Sequence, residues 1–362
     1  MKNLLVTGGC GFIGSNFIHF LQRVDSSLNI HNLDSLTYAA NEKNLAAFEG
    51  TPNYHFVQGD ICDSELVEKI LVENEIDTII HFAAETHVDR SIFGPEAFIQ
   101  TNVVGTFRLL EAARKVWMGD GKKDINQYRF HHVSTDEVYG TLNPEDSAFS
   151  ETTPYAPNSP YSASKASSDH LVRSYFHTYG MPVTISNCSN NYGAYQFPEK
   201  LIPLVILNAI QGKPLPVYGD GKQVRDWLFV GDHCEAIYQI MIKGKPGETY
   251  NIGGNNERTT VEVISTICEI LDEVSPGSKY IPHINLLTHV NDRPGHDRRY
   301  AINATKILHE LGWSPKMNFK EGILQTVTWY LDHMDWVEEM LSRKDYKAWL
   351  EKNYDKRGEE KK

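Results

Sequence analysis

The sequence predicts an α/β protein built on a doubly wound parallel sheet of the Rossmann type, with a smaller C-terminal substrate-binding region. Short apolar runs alternate with helix-like stretches through the first half of the chain. The first of these runs leads directly into a glycine-rich turn, and the texture changes after about residue 187 to short elements rich in proline and glycine. Alternation of strand and helix patterns implies parallel strands with helices on both faces of the sheet.

The individual elements follow from the spacing of the apolar residues. Strands are predicted at residues 4–6, 30–33, 54–57, 78–82, 130–133 and 183–185. Helices are predicted between them, for example at residues 13–24, 64–73 and 98–116. The later half has no comparable periodicity, so we expect it to supply a second region made of discontinuous pieces.

Composition excludes several classes of protein. The chain has 362 residues, a net charge of −12 and a pI near 5.7, which argue against a nucleic-acid partner or an anionic membrane surface. Its five cysteines are odd in number and form no CxxC pair, which favours free thiols over disulfides or a metal site. Because no apolar run approaches ~18 residues and the first apolar run is too short for a signal peptide, we expect a cytoplasmic protein without a membrane span.

A dinucleotide site is predicted at the first turn. Residues 8–14 (GGCGFIG) contain a G-x-G-x-x-G pattern that follows a strand and precedes an amphipathic helix. Alone the pattern is weak, but Asp34 ends the second strand about 20 residues later, where a carboxylate would bind the adenosine ribose and repel a 2′-phosphate. NAD is therefore favoured over NADP. Asp60 and Ile61 are expected near the adenine, although Asp60 has an ordinary turn as its alternative.

The sequence predicts three parts along the chain. Residues 1–187 would form the NAD-binding Rossmann domain, to which residues of about 225–253 return. Residues 188–330 would form most of the substrate-binding region, and residues 331–362 a C-terminal helix with a charged tail.

Two segments carry candidate catalytic groups. Tyr161 and Lys165 stand four residues apart on a predicted helix that begins near Ser159, so an ammonium can lie beside a phenol and lower its pKa. Residues 134–140 (STDEVYG) follow an apolar strand and place Thr135 before the adjacent carboxylates of Asp136 and Glu137. A surface helix pair and a solvated acidic turn are the respective structural alternatives.

Taken together, these motifs resemble the extended short-chain dehydrogenase/reductase family, and within it the branch that dehydrates dTDP-glucose. The resemblance runs from Lys2 to about Trp329 and includes residues 81–91, 102–106, 134–140, 161–165, 190–193, 198–203 and 293–300. The Thr-Asp-Glu triplet distinguishes this branch from related epimerases and decarboxylases. Thr86 and Thr260 depart from it, standing where serine and asparagine are expected, and the second departure leaves the nucleoside open.

The resemblance implies conversion of dTDP-glucose to its 4-keto-6-deoxy product by C4 oxidation, loss of water across C5–C6 and return of the hydride to C6. It implies a homodimer joined through helices, a nucleotide-sugar partner and no metal. The implied cofactor residues are Gly8, Gly11, Phe12, Ile13, Gly14, Asp34, Asp60, Ile61, Ala83, Ala84, Tyr161 and Lys165. The implied substrate residues are Thr86, His87, Asn190, Glu199, Lys200, Leu201, Tyr218, Arg225, Arg293, His296 and Tyr300.

Two other functions stay open at this point. One is a UDP-sugar epimerase, a decarboxylase or a UDP-glucose dehydratase. The other is a catalytically silent NAD-binding regulator, although a silent protein has no physical need for Thr135, Asp136, Glu137, Tyr161 and Lys165 together.

Overall fold

A seven-stranded parallel sheet forms the centre of the molecule. The computed structural model describes residues 1–119, 124–292 and 297–343. The strands in those ranges are β1 (Asn3–Thr7), β2 (Asn29–Asp34), β3 (Tyr54–Gln58), β4 (Thr78–His81), β5 (Arg129–Thr135), β6 (Val183–Cys188), β7 (Asn190–Tyr192), β8 (Leu215–Tyr218), β9 (Val224–Phe229), β10 (Thr249–Ile252), β11 (Glu257–Thr259) and β12 (Leu287–Val290). The sheet has the order β10-β6-β5-β4-β1-β2-β3, so the chain reverses its direction of travel between β1 and β4.

Helices cover both faces of this sheet and build the second region. They are α1 (Phe12–Val24), α2 (Ser64–Glu73), α3 (Val88–Phe93), α4 (Pro95–Phe98), α5 (Thr106–Met118), α6 (Pro160–Tyr179), α7 (Leu201–Gln211), α8 (Val230–Lys243), α9 (Thr260–Val274), α10 (Thr305–Leu311), α11 (Phe319–Asp332) and α12 (Met334–Ser342). A π-helical segment (Ile99–Gly105) joins α4 to α5, and a short 3₁₀ helix (Asp136–Tyr139) follows β5.

Two apolar cores sandwich the sheet. On one face Leu4 and Val6 pack with α1 and α8, and on the other Leu5 packs with residues of α2, α5 and α6. Consecutive residues of β1 therefore bury opposite faces, which explains why the strand reads as an unbroken apolar run. A third core joins α7, α9 and α11 in the second region.

The predicted doubly wound sheet is confirmed, and each of the six predicted strands overlaps an observed one. The predicted helix at residues 98–116 is instead divided between α4, the π-helical segment and α5. A π-turn inserts an extra residue without ending the helix, so the spacing of apolar residues does not reveal it.

The second region differs in its boundaries from the expected ones. β9 lies in a three-stranded sheet with β7 and β11, so the return of the chain to the large sheet begins with α8 and ends with β10. α10 also packs into the core beside α8, a contribution that the sequence did not indicate. α12 lies within the predicted C-terminal helix, whereas the charged tail lies outside the described residues. None of the helices described here is long and apolar enough to cross a membrane.

Candidate active site

A cleft of about 410 Å³ opens at the carboxyl ends of the parallel strands, where ligands bind in open α/β sheets. The predicted cofactor residues all line it: Gly8, Gly11, Phe12, Ile13, Gly14, Asp34, Asp60, Ile61, Ala83, Ala84, Tyr161 and Lys165. Thr135, Glu137, Thr86, Asn190, Glu199 and Lys200 line the same cleft. Residues predicted for cofactor and for substrate thus share one continuous surface.

The backbone of the glycine-rich turn after β1 lies close to the segment that follows β4. Gly8 has φ +73°, and a Cβ placed there would lie 2.6 Å from the backbone nitrogen of Ala83. A Cβ on Gly14 would lie 2.3 Å from the carbonyl oxygen of Gly8. Neither contact is possible for a real side chain, so the turn can close over the N-terminus of α1 only with glycine at both positions. The bare helix N-terminus that results suits a pyrophosphate.

Asp34 is the last residue of β2, and its side chain bonds both to the glycine-rich turn and to the loop that follows β2. One carboxylate oxygen accepts a hydrogen bond from the backbone nitrogen of Cys10 at 2.9 Å, and the other from that of Leu36 at 2.8 Å. Burial raises the pKa of Asp34, and these two donors oppose the shift. The side chain is therefore fixed in the cleft wall with lone pairs left to accept from a ligand hydroxyl.

The loop after Asp34 forms a wall of the cleft and is held by Arg343, the residue that follows α12. Arg343 donates from Nη1 to the carbonyl oxygens of Tyr38 at 3.0 Å and Ala40 at 2.7 Å. Met340 of α12 packs with Phe197 and Tyr38 in a small apolar cluster. The C-terminal helix thus braces the part of the wall that lies beside the predicted adenosine site.

Tyr161 and Lys165 occupy the first two turns of α6. Ser159 caps that helix, accepting from the backbone nitrogen of Ser162 at 3.1 Å in a capping box that sets where the helix begins. Lys165 donates from Nζ to the carbonyl oxygen of Val133 at 2.9 Å, which ties α6 to β5. The spacing of four residues places the phenol and the ammonium on one face of the helix, as expected.

The pKa of Tyr161 differs from the expected direction. Burial raises it well above its usual value, Glu137 and Cys188 add to the rise, and only the Thr135 hydroxyl opposes it. The Lys165 ammonium is directed toward β5, and burial lowers its own pKa to about 8. A phenolate at Tyr161 would need further positive charge in the cleft.

The acidic pair follows β5 on the 3₁₀ helix and is divided between two environments. Glu137 lines the cleft, whereas Asp136 is buried behind it and is not among the lining residues. Burial raises the pKa of Asp136 well above its usual value; Glu137 and Asp226 raise it further and Arg225 opposes them. The arrangement therefore favours a protonated Asp136 beside a Glu137 that faces the ligand space.

On the substrate side, Glu199 is part of a buried network. It accepts from the Tyr38 hydroxyl at 2.9 Å and from Arg90 at 3.2 and 3.3 Å. His87 caps α3 and lies 3.8 Å from the same carboxylate. Both oxygens of Glu199 are thus held within the protein while the side chain lines the cleft, where the sequence predicts a substrate residue.

The other substrate residues are dispersed. Lys200 donates to the carbonyl oxygen of Thr86 at 3.4 Å, and the buried Oδ1 of Asn190 has no hydrogen-bond partner among the described residues. Leu201 opens α7 and packs into the third core instead of lining the cleft. Tyr218 ends β8 and is not among the lining residues.

Arg225 and Tyr300 form a pair beside the acidic residues. The Arg225 guanidinium lies 4.2 Å from the centre of the Tyr300 ring and donates to the carbonyl oxygen of Asp297 at 2.9 Å. Burial raises the pKa of Tyr300, and Glu137 contributes to the rise, so the phenol lies near that carboxylate. Neither residue is among those lining the cleft. Arg293 and His296 lie outside the described residues.

Three site residues were missed from the sequence. Arg90 and Tyr38 form the network around Glu199, and Asn102 pins the loop after β4 to α6 by bonding the backbone of Glu85 at 2.8 Å and the hydroxyl of Ser164 at 2.8 Å. Arg90 and Asn102 both stood in segments that carried the family resemblance. Tyr38 had no signal beyond its position shortly after Asp34.

Comparison with known proteins identifies this arrangement. A model of the family described as GDP-mannose 4,6 dehydratase matches residues 5–326. The dTDP-glucose 4,6-dehydratase of Xanthomonas campestris pv. campestris is 59% identical over 343 residues, which are 94% of this chain and 96% of that protein. The chain belongs to the dTDP-glucose 4,6-dehydratase family.

Solved structures agree with this family assignment. A dTDP-glucose 4,6-dehydratase from Bacillus anthracis in complex with NAD is 46% identical, with a TM-score of 0.83 over 94% of this chain and 100% of that one. A second, from Streptomyces venezuelae with NAD and TDP bound, is 43% identical with a TM-score of 0.83 over 94% of this chain and 100% of that one.

Proposed function

We propose that this protein is an NAD-dependent hydro-lyase that converts dTDP-glucose to dTDP-4-keto-6-deoxyglucose. The observation that carries the proposal is the unlike placement of the acidic pair: Glu137 lines the cleft, whereas Asp136 lies buried behind it, where burial raises its pKa and favours the protonated form. Elimination of water needs one group that removes a proton and one that donates a proton, and two neighbouring carboxyls in unlike environments supply both. Relatives at 59% identity that bear this function support the substrate.

The cleft fits NAD. The contacts at Gly8 and Gly14 leave room for a pyrophosphate only because no Cβ is present, and Asp34 has acceptors for ribose hydroxyls. Bound NAD would serve as the acceptor and later the donor of one hydride, and its nicotinamide would add positive charge near Tyr161. Lys165 would hold the nicotinamide ribose.

The residues of the chain then have distinct tasks. Tyr161 accepts the proton of the sugar 4-hydroxyl, and Thr135 donates a hydrogen bond to the same oxygen. Once C4 is a ketone, C5 is an α-carbon and its proton becomes acidic enough for Glu137 to remove. Asp136 gives its proton to the departing C6 hydroxyl, a step that requires its carboxyl to reach the cleft from behind Glu137.

Anchoring of the substrate is proposed for residues beyond the acidic pair. Arg225 and Arg293 suit a pyrophosphate because a guanidinium donates two parallel hydrogen bonds. Asn190, with its unpaired buried amide oxygen, would accept from a sugar hydroxyl. Tyr218 would lie near the base, and His296 is proposed as a further substrate residue.

A cytoplasmic homodimer is the assembly that we propose. Ile92, Phe93, Ile99 and Phe107 expose 43%, 47%, 48% and 37% of their surfaces along one stretch of α3 to α5. Large apolar side chains clustered in this way are typical of a protein interface. The proposal of a helix-mediated dimer rests on these side chains and on the family resemblance.

Product identification tests the function. The purified protein is incubated in parallel with dTDP-glucose and UDP-glucose, and products are identified by mass spectrometry and NMR. We expect a 4-keto-6-deoxy sugar, formed faster from dTDP-glucose. An epimerised hexose or a pentose would indicate one of the related enzymes, and the absence of any turnover by NAD-loaded protein would favour a silent NAD-binding regulator.

A further inference from the structure

Behind Lys165 the fold buries a carboxylate that the proposed mechanism does not use. Asp169 follows Lys165 by one turn of α6, and the two residues are 2% and 4% exposed. One oxygen of Asp169 accepts from the Ser134 hydroxyl at 2.8 Å and from the Tyr155 hydroxyl at 2.9 Å. Asp169 is not among the residues that line the cleft, so it acts on the reaction only through its neighbours.

The other oxygen of Asp169 lies close to a histidine that also lies close to Lys165. Asp169 Oδ1 lies 3.2 Å from Nε2 of His132, and the same nitrogen lies 3.4 Å from Nζ of Lys165. Lys165 is directed to this place by its hydrogen bond to the Val133 carbonyl. One nitrogen of the imidazole therefore approaches both the buried ammonium and the buried carboxylate, which stands one helical turn after Lys165.

The other groups that surround Lys165 are neutral. Burial lowers the pKa of His81 on β4 and of His132 on β5 well below the usual value, and burial raises that of the Cys188 thiol on β6 to about 12. Burial lowers the pKa of Lys165 to about 8, and Asp169 is the larger of the two influences that oppose this shift.

The phenol of Tyr161, the remaining ionisable neighbour on α6, is held neutral by burial, which raises its pKa. Burial also raises the pKa of Asp169 itself, but Lys165 and three hydrogen-bond donors stabilise its charged form. Asp169 is thus the group placed to balance the charge of the lysine.

We propose that Asp169 is a positioning residue that keeps the Lys165 side chain charged and held beside β5 during turnover. The inference rests on the proposed function, in which Lys165 holds the nicotinamide ribose beside Tyr161. A lone buried ammonium is strongly disfavoured, whereas a nearby carboxylate raises a lysine pKa by about 1–3 units. Because burial already lowers the pKa of Lys165 to about 8, loss of the Asp169 charge should lower it further, so that the lysine loses its proton closer to neutral pH.

The test compares Asp169→Asn with the parent protein. Asparagine keeps the shape of the side chain and an oxygen that can accept from Ser134 and Tyr155, but it removes the charge. We expect the alkaline limb of the kcat/KM profile for dTDP-glucose to move to lower pH by about 1 unit or more. Tyr155→Phe is the matched control: it removes a hydrogen bond to the same carboxylate, keeps the charge, and should leave the limb at the pH of the parent.

A second measurement does not depend on the substrate. The pKa of Lys165 is followed by NMR in NAD-loaded protein labelled at lysine, with its signal assigned through Lys165→Met. A pKa lowered by about 1 unit or more in Asp169→Asn supports the proposal even if dTDP-glucose proves not to be the substrate. An unchanged pKa in folded Asp169→Asn would overturn it.

Asp169→Glu covers the case in which the asparagine variant does not fold. Because it keeps the charge, its lysine pKa and its alkaline limb should lie at or above those of the parent. A fall of the lysine pKa in Asp169→Glu would show that the charge at this position is not what maintains the ammonium, and would refute the inference.

Discussion

Arg343→Ala should speed release of the cofactor without touching the chemistry. The guanidinium holds the carbonyl oxygens of Tyr38 and Ala40, two residues of the loop that forms a wall of the cleft. A hydrogen bond from a charged donor contributes about 1.5–3 kcal/mol when shielded, and Arg343 is only partly buried. Taking about 1–2 kcal/mol for the bifurcated pair, the population of the open loop should rise roughly 5- to 30-fold.

If the cofactor leaves through this opening, its release rate should rise by a similar factor. Protein loaded with NADH is mixed rapidly with excess NAD, and the loss of bound NADH fluorescence is followed over time. Lys43→Ala is the matched control, because it removes another contact between this side of the cleft and α12, an ion pair with Glu339 at 2.8 Å. That lysine is 66% exposed, so its loss should change the rate little.

Release of NADH at the parent rate by folded Arg343→Ala would show that this contact does not hold the cofactor in the cleft. An equally large effect of Lys43→Ala would show that any disturbance of α12 speeds release, whichever contact is removed. Near-UV circular dichroism of both variants establishes that the rest of the fold is intact.

Three further substitutions test separate parts of the site. Gly8→Ala places a Cβ 2.6 Å from the backbone of Ala83, so the purified variant should retain less than about a tenth of the parent's bound NAD; full retention would mean that the turn tolerates a side chain. Tyr161→Phe should slow the first oxidation by about 10²-fold or more, measured as NADH formed in a single turnover, and near-normal rates would remove Tyr161 as the base. Glu137→Gln should still form NADH but exchange the C5 proton with solvent deuterium at least about 10²-fold more slowly, whereas exchange at the parent rate would assign the proton abstraction elsewhere.

Much of the fold could be predicted because a parallel sheet leaves a strong imprint on the sequence. Strands buried on both faces are rich in apolar residues, such as Leu4, Leu5 and Val6 of β1, and the turn at Gly8 and Gly14 admits no side chain. The π-helical segment escaped prediction because its extra residue changes the register of Asn102 without changing composition. Only the folded chain shows that this residue joins the loop after β4 to α6.

The candidate site was predictable in its residue types but not in its environments. The sequence does not show which of the two adjacent carboxylates, Asp136 or Glu137, is buried, because the 3₁₀ helix after β5 sets the direction of each side chain. The tyrosine–lysine spacing suggested a lowered phenol pKa, but burial and the neighbouring Glu137 raise it. Contacts between distant segments, such as that of Arg343 with Tyr38, have no local signature at all.

In the proposed reaction, one hydride leaves C4 and returns to C6 of the same sugar while the cofactor stays bound. The direct measurement is incubation of the protein with dTDP-glucose carrying deuterium at C4, followed by NMR of the product. The account predicts that the deuterium appears at C6, with no accumulation of NADH. Deuterium that remains at C4, as in an epimerised hexose, or that accumulates in free reduced cofactor would contradict it.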